Sequence, residues 1–146
     1  MSDTKTTKAA PPGYSDVCPY LMVDSIEKEL EFLEKVFGGE IREHLKDKEG
    51  NSVHAEIRIG DTLIMLGKGN EQFPSQPGMN YVYVHDVNSV YNHALNHNAV
   101  SIMAPEDRFY GLRDGGFKDP QGNTWWVAQH LRTVSHEELQ NEAEKK

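Results

Sequence analysis

The chain has 146 residues, 37% of them hydrophobic and 26% charged, which suits one compact domain with a real core. Its 23 acidic residues against 15 basic ones give a formal charge of -8, so no basic excess exists to displace counterions, and nucleic acid is not an expected partner. The one cysteine, Cys18, has no internal disulfide partner, and no stretch approaches the roughly 20 apolar residues of a membrane helix, so a cytoplasmic protein without a membrane partner is expected.

Residues 1–13 are small and polar, end in Pro-Pro-Gly and read as a mobile, disordered leader. A β-rich run covers 17–23. Ser25 can cap a helix whose apolar stripe is Ile26, Leu30, Leu33 and Phe37, and Gly38-Gly39 ends it. Strands are predicted over 40–46 and 52–59 around a turn at 48–51, and Gly60-Asp61 turns the chain into another at 62–66. The same order then repeats: a strand over 79–84, Asp86 as cap, a helix striped by Val87, Val90, Tyr91, Ala94 and Leu95, and strands near 100–104, 109–118 and 124–129. Ser135 and Glu138 form an S-x-x-E capping box that starts a short terminal helix in a Glu/Lys-rich tail over 135–146.

Val23-x-Ser25-Ile26 matches Val84-x-Asp86-Val87, and Gly60-Asp61-Thr62 matches Gly122-Asn123-Thr124, at nearly equal offsets along the chain. Together with the matching element order this reads as a duplicated βαβββ module, about 17–67 and 79–130, inside a single domain over 14–134. A ferredoxin-like or other α+β domain without duplication is the alternative.

The stretches PYLMVDSIEKELEFLEKVFGGEI, HAEIRIGDTLIML, FYGLRDGGFKDPQGNTWWVAQH and VSHEEL resemble the PhnB-like branch of the vicinal-oxygen-chelate superfamily, the glyoxalase/bleomycin-resistance/dioxygenase family. The closing segment carries the most specific match, through Tyr110, Gly111, Arg113, Gly115, Asp119, Pro120, Gly122, Trp125 and His130; Leu112, Gln129 and His136 depart from the pattern. The resemblance implies an α+β fold of two tandem βαβββ modules forming a curved mixed sheet around a cleft, commonly completed by a homodimer. It implies less about chemistry, because members include metal-dependent isomerases, ring-cleaving dioxygenases and proteins that only sequester drugs. Carried across, the metal-ligand positions of such members fall at Cys18 and Met79 on the first strands, and at Met65 (or Ile64, one register over) and Trp126 on the last. Thioethers bind borderline divalent ions weakly and indole offers no lone pair, so neither a metal nor another cofactor is expected.

Two other sets of residues carry candidate chemistry. On the third strand Val53, Ala55, Ile57 and Ile59 alternate with His54, Glu56 and Arg58, and the first set should pack under the helix. His54 and Glu56 have α-carbons about 6.6 Å apart, close enough for a proton-transfer pair or for a plain ion pair on a polar wall. In the second module Tyr81, Tyr110, Trp125 and Trp126 supply flat contact surface; by alternation the two tryptophans face opposite ways, so one can serve the core and the other the cleft. Arg113 can take a ligand carboxylate or phosphate, or pair with its acidic neighbours. Asp119-Pro120-Gln121-Gly122 reads as a tight turn. His93 and His97 share a helix face but lack a third ligand, and with His44 and His136 they read as surface residues.

The function expected from these residues is metal-independent binding, the sequestering of a planar or cationic organic ligand in an aromatic-lined cleft. The alternative is a diverged glyoxalase-like isomerase or lyase using His54 and Glu56 as acid and base.

Overall fold

A computed structural model describes residues 9–146; the first part of the expected leader, 1–8, lies outside the described residues. The chain divides into two compact units between Pro77 and Gly78. Unit one contains β1 (Tyr20–Val23), α1 (Ile26–Phe37), β2 (Glu40–Lys46), β3 (Ser52–Ile59) and β4 (Thr62–Lys68). Unit two contains β5 (Met79–Tyr83), α2 (Val87–Asn96), β6 (Val100–Asp107), β7 (Leu112–Lys118), β8 (Thr124–His130) and α3 (His136–Ala143). Each builds a four-stranded mixed sheet of the same topology, β1-β4-β3-β2 and β5-β8-β7-β6, with the outer pair β1/β4 or β5/β8 parallel and the rest antiparallel. The fold is α+β, two tandem βαβββ modules, as the duplicated sequence pattern implies.

Local chemistry accounts for the element ends. Ser25 accepts the Lys28 N–H, Asp86 the Ser89 N–H and Ser135 the Glu138 N–H, so each helix starts on the side-chain cap expected of it. Strand β1 is shorter than the apolar run that predicts it. Pro19 has no N–H to give, and only its carbonyl joins the ladder, accepting from Met65 N at 2.9 Å. Strand β7 likewise begins three residues late, because residues 108–111 form a turn closed by Arg108 N–H to the Leu112 carbonyl at 2.7 Å. Gly111 sits there at φ +86, with a would-be Cβ 2.1 Å from the Arg132 carbonyl oxygen, so no larger residue fits.

In each unit one sheet face is covered by its helix and the other is open. Leu21, Val23, Ala55, Ile57, Ile64 and Leu66 are buried with Ile26, Leu30 and Leu33 of α1. Val82, Phe117, Trp125 and Val127 occupy the corresponding face beneath α2, where Val87 and Ala94 are fully buried. Val53 breaks the alternation that placed it under α1. A register shift between Leu45 and Lys46 inserts an extra residue into the β2/β3 ladder there, so Ser52 turns inward and Val53 is left about half exposed. Among the described residues no helix is long and apolar enough to cross a membrane.

Candidate functional site

The open face of unit two is organised by Asp114, on β7, which is only 4% exposed. Tyr81 on β5 and Tyr110 in the β6–β7 turn donate their hydroxyl protons to Asp114 Oδ2 at 2.8 and 2.7 Å, and Arg108 Nε donates to Oδ1 at 2.7 Å. Burial pushes the Asp114 carboxyl up, but the hydrogen bonds from Tyr110, Arg108 and Tyr81, with the guanidinium charge, outweigh it and hold the group below the ordinary carboxylate range. Burial and the bond to Asp114 push the other way on the phenols, raising Tyr110 to about 12 and Tyr81 further. Trp126 on β8 lies across β7 at Gly116, where a Cβ would come within 2.5 Å of the indole; the missing side chain lets the ring lie against the strand. Tyr81, Phe109, Tyr110 and Trp126, with Met103 and Arg108, line a concavity of about 620 Å³.

The open face of unit one carries a polar chain. His54 Nε2 lies 2.8 Å from Glu56 Oε2, Tyr14 OH donates to Glu56 Oε1 at 2.5 Å, and Tyr20 OH lies 3.3 Å from His54 Nδ1. Burial raises the Glu56 carboxyl, yet the bonds from Tyr14 and His54 prevail and leave it lowered. Both Glu56 oxygens are therefore engaged, and the carboxylate orients His54 rather than standing free as a base. The segment that brings Tyr14 here belongs partly to the expected leader. Residues 10–14 are tied down, Ala10 N–H to Asp16 Oδ1 at 3.0 Å and Arg58 Nη2 to the Gly13 carbonyl at 2.9 Å, so this part of the expected leader is anchored to unit one.

The remaining sequence-predicted residues separate clearly. Trp125 is fully buried and donates its indole N–H to Asp119 Oδ2 at 2.9 Å, so it is the core tryptophan and cannot contact a ligand on the open face. Arg113 also falls on the helix-covered face. Strand alternation turns it away from Asp114, and it bonds Asn88 Oδ1 and Asp107 Oδ1, both at 3.1 Å. Gln129, a departure from the family pattern, accepts the Val87 N–H at the start of α2 at 3.0 Å. His44 is more than a surface residue: its Nε2 lies 2.6 Å from Ser52 Oγ, and Ser52 donates in turn to Glu27 on α1. Ser52 is buried, so this trio ties helix to sheet.

The donor set at the family's metal positions does not suit an ion. Cys18 Sγ donates to the Ser15 carbonyl at 3.3 Å, Met65 and Met79 are thioethers, and Trp126 offers a ring face. Among the described residues no group of three or more His, Cys, Asp or Glu side chains is placed to hold a metal.

Comparison with known proteins agrees with this architecture. A family model described as "Glyoxalase/Bleomycin resistance protein/Dioxygenase superfamily" matches residues 16–127. Uncharacterised proteins of Mycobacterium bovis and Mycobacterium tuberculosis are 30% identical over 133 residues, covering 84% of this chain and 88% and 78% of theirs. Among solved structures, TioX from Micromonospora sp. ML1 superposes with a TM-score of 0.69 at 21% identity, over 79% of this chain and 98% of its own. A PhnB protein from Bacillus cereus gives 0.64 at 19% identity, over 79% and 99%. At these identities the solved structures speak to the fold alone.

Proposed function

The chain belongs to the glyoxalase/bleomycin resistance protein/dioxygenase superfamily, and from that premise we propose that it is a metal-independent binding protein, sequestering a planar or cationic organic ligand in the aromatic concavity of unit two. The observation that carries this reading is the state of Asp114. Its oxygens are occupied by three donors, so the acid fixes the wall of the concavity instead of moving protons, while Trp126, Tyr81, Tyr110 and Phe109 offer ring surface to a flat ligand. Titration with a panel of planar organic molecules should change tryptophan emission through Trp126, an effect that Trp126→Leu removes and a chelator does not. A panel without any such response, or a response abolished by chelation, would refute the proposal.

A second reading has one specific observation in its favour, the 2.8 Å pairing of His54 with Glu56. An imidazole held by a carboxylate is suited to proton transfer in a diverged isomerase or lyase. Turnover that survives chelation and disappears in His54→Ala would select it; stoichiometric binding without turnover selects the first.

We further propose a cytoplasmic homodimer. Strand β5 forms an outer edge of its sheet and carries exposed Met79, Tyr81 and Tyr83, a combination that a second copy would cover. Light scattering at tens of micromolar should return twice the chain mass, and a monomeric mass would count against the assembly.

A further inference from the structure

The ligand's charge and hydrogen-bonding pattern follow from which atoms around the unit-two concavity still have protons to give, an inference that rests on the binding reading above. A phenol has one proton. Tyr81 and Tyr110 both commit theirs to Asp114 Oδ2, so the two hydroxyl oxygens have only lone pairs left for a ligand. Burial raises both phenols, which keeps those protons in place through neutral pH. Arg108 commits four of its five N–H donors, Nε with Asp114 Oδ1 at 2.7 Å, Nη1 with Glu106 Oε2 at 3.0 Å, and Nη2 with the Asp114 carbonyl at 3.3 Å and Met103 Sδ at 2.9 Å, and keeps one on Nη1. Asp107, paired through Oδ1 with Arg113, adds a further carboxylate to the lining. The wall is rich in acceptors and in aromatic faces, whose quadrupoles attract cations.

The chain itself places a cation there. Lys146 Nζ lies 5.1 Å from the centroid of the Phe109 ring, and Lys146 borders the same concavity. Helix α3, which leads to it, buries no residue, so withdrawing its end uncovers no core.

We propose that the concavity takes a planar organic cation bearing N–H donors, which stacks on Trp126, donates to the Tyr81 and Tyr110 oxygens and displaces the Lys146 ammonium as it enters. Lys146 is then an internal competitor, and its removal acts with opposite sign on cationic and anionic ligands.

Four planar probes separate these features when titrated calorimetrically into the full chain in mildly basic buffer. Proflavine is a tricyclic cation with amino N–H groups, methylene blue a tricyclic cation without them, acridine a neutral ring system and anthracenecarboxylate an anion. Proflavine should bind tightest, methylene blue about fivefold more weakly for want of donors, and the neutral and anionic probes more weakly still. Lys146→Ala should tighten proflavine by about two- to fivefold and should not tighten anthracenecarboxylate. Trp126→Leu should abolish proflavine binding, and proflavine bound equally well by that variant sits elsewhere on the acidic surface, which overturns the assignment. Acridine or anthracenecarboxylate matching proflavine would leave the binding reading standing and overturn the ligand class. An unchanged or weakened proflavine affinity in Lys146→Ala would overturn the competition. If none of the probes binds in a Trp126-dependent way, the binding reading fails together with the inference.

Discussion

Replacing Asp114 with alanine should destabilise unit two by about 3 kcal/mol and abolish its ligand response. Truncation leaves Tyr81, Tyr110 and Arg108 without their shared acceptor, and breaking a buried ion pair costs about 3–5 kcal/mol where the remaining charge is fully buried. The Arg108 side chain is 19% exposed and keeps Glu106 at 3.0 Å, which places the expected loss at the low end. Asp114→Asn should lose less in stability, about 2 kcal/mol, because one amide oxygen can still accept from both phenols. Its NH2 then faces the Arg108 donor, which should shift Arg108 away from the concavity. Urea unfolding followed by far-UV circular dichroism measures both. Wild-type stability in Asp114→Ala would mean that the tyrosines and arginine find other partners, and that Asp114 does not organise this face.

The same carboxylate fixes the sign of a pH dependence. Its pKa is lowered in the folded chain, so the unfolded chain takes up its proton first as pH falls. The stabilisation is complete above the ordinary aspartate value of 3.8 and is lost as pH drops through the folded value. Unfolding midpoints of wild type and Asp114→Asn should therefore converge in acid and separate towards neutrality.

The parts of the site that were legible in the sequence are those governed by strand parity. Tyr81 and Trp126 lie directly opposite each other on β5 and β8, and alternation alone shows that Trp125 and Trp126 divide between core and open face. A motif match singles out Arg113 but carries no information about faces, and the residue falls on the helix-covered side. Its neighbour Asp114, with the parity of Gly116, is the residue that points to the open side, as alternation along β7 dictates. Arg108 lies in a turn, where no periodicity exists to orient it. Val53 departs from the strand's alternation because a bulge inverts parity without any sequence mark of its own. The Tyr14–Glu56 contact spans 42 positions and begins directly after a segment whose composition suggests disorder. Long-range polar pairing of that kind leaves no local pattern.

The turn that positions Trp125 provides a matched comparison for the second large effect. Asp47-Lys48-Glu49-Gly50-Asn51 and Asp119-Pro120-Gln121-Gly122-Asn123 fold alike. In each, the aspartate N–H donates to the asparagine carbonyl, at 2.9 and 2.8 Å, and the glycine N–H to the aspartate carbonyl, at 3.0 and 2.9 Å. In each, Oδ1 accepts two turn N–H groups, from Glu49 and Asn51 at 2.9 and 3.0 Å, and from Gln121 and Asn123 at 2.9 and 3.0 Å. The two aspartates differ in burial and in a bond to Trp125. Asp47 is exposed, whereas Asp119 is 4% exposed and its Oδ2 also accepts the buried Trp125 indole N–H. Water can replace the lost acceptor at Asp47, so Asp47→Ala should cost about 1 kcal/mol. It cannot readily do so at the buried Asp119, where each buried donor left without an acceptor costs about 1–3 kcal/mol, so Asp119→Ala should cost about 3 kcal/mol or more. Thermal unfolding of the two variants, with near-UV circular dichroism to follow the packing of Trp125, makes the comparison. Equal losses at the two positions would mean that turn geometry alone sets the cost, and that the indole bond does not anchor Trp125 in the core on which Trp126 and the concavity depend.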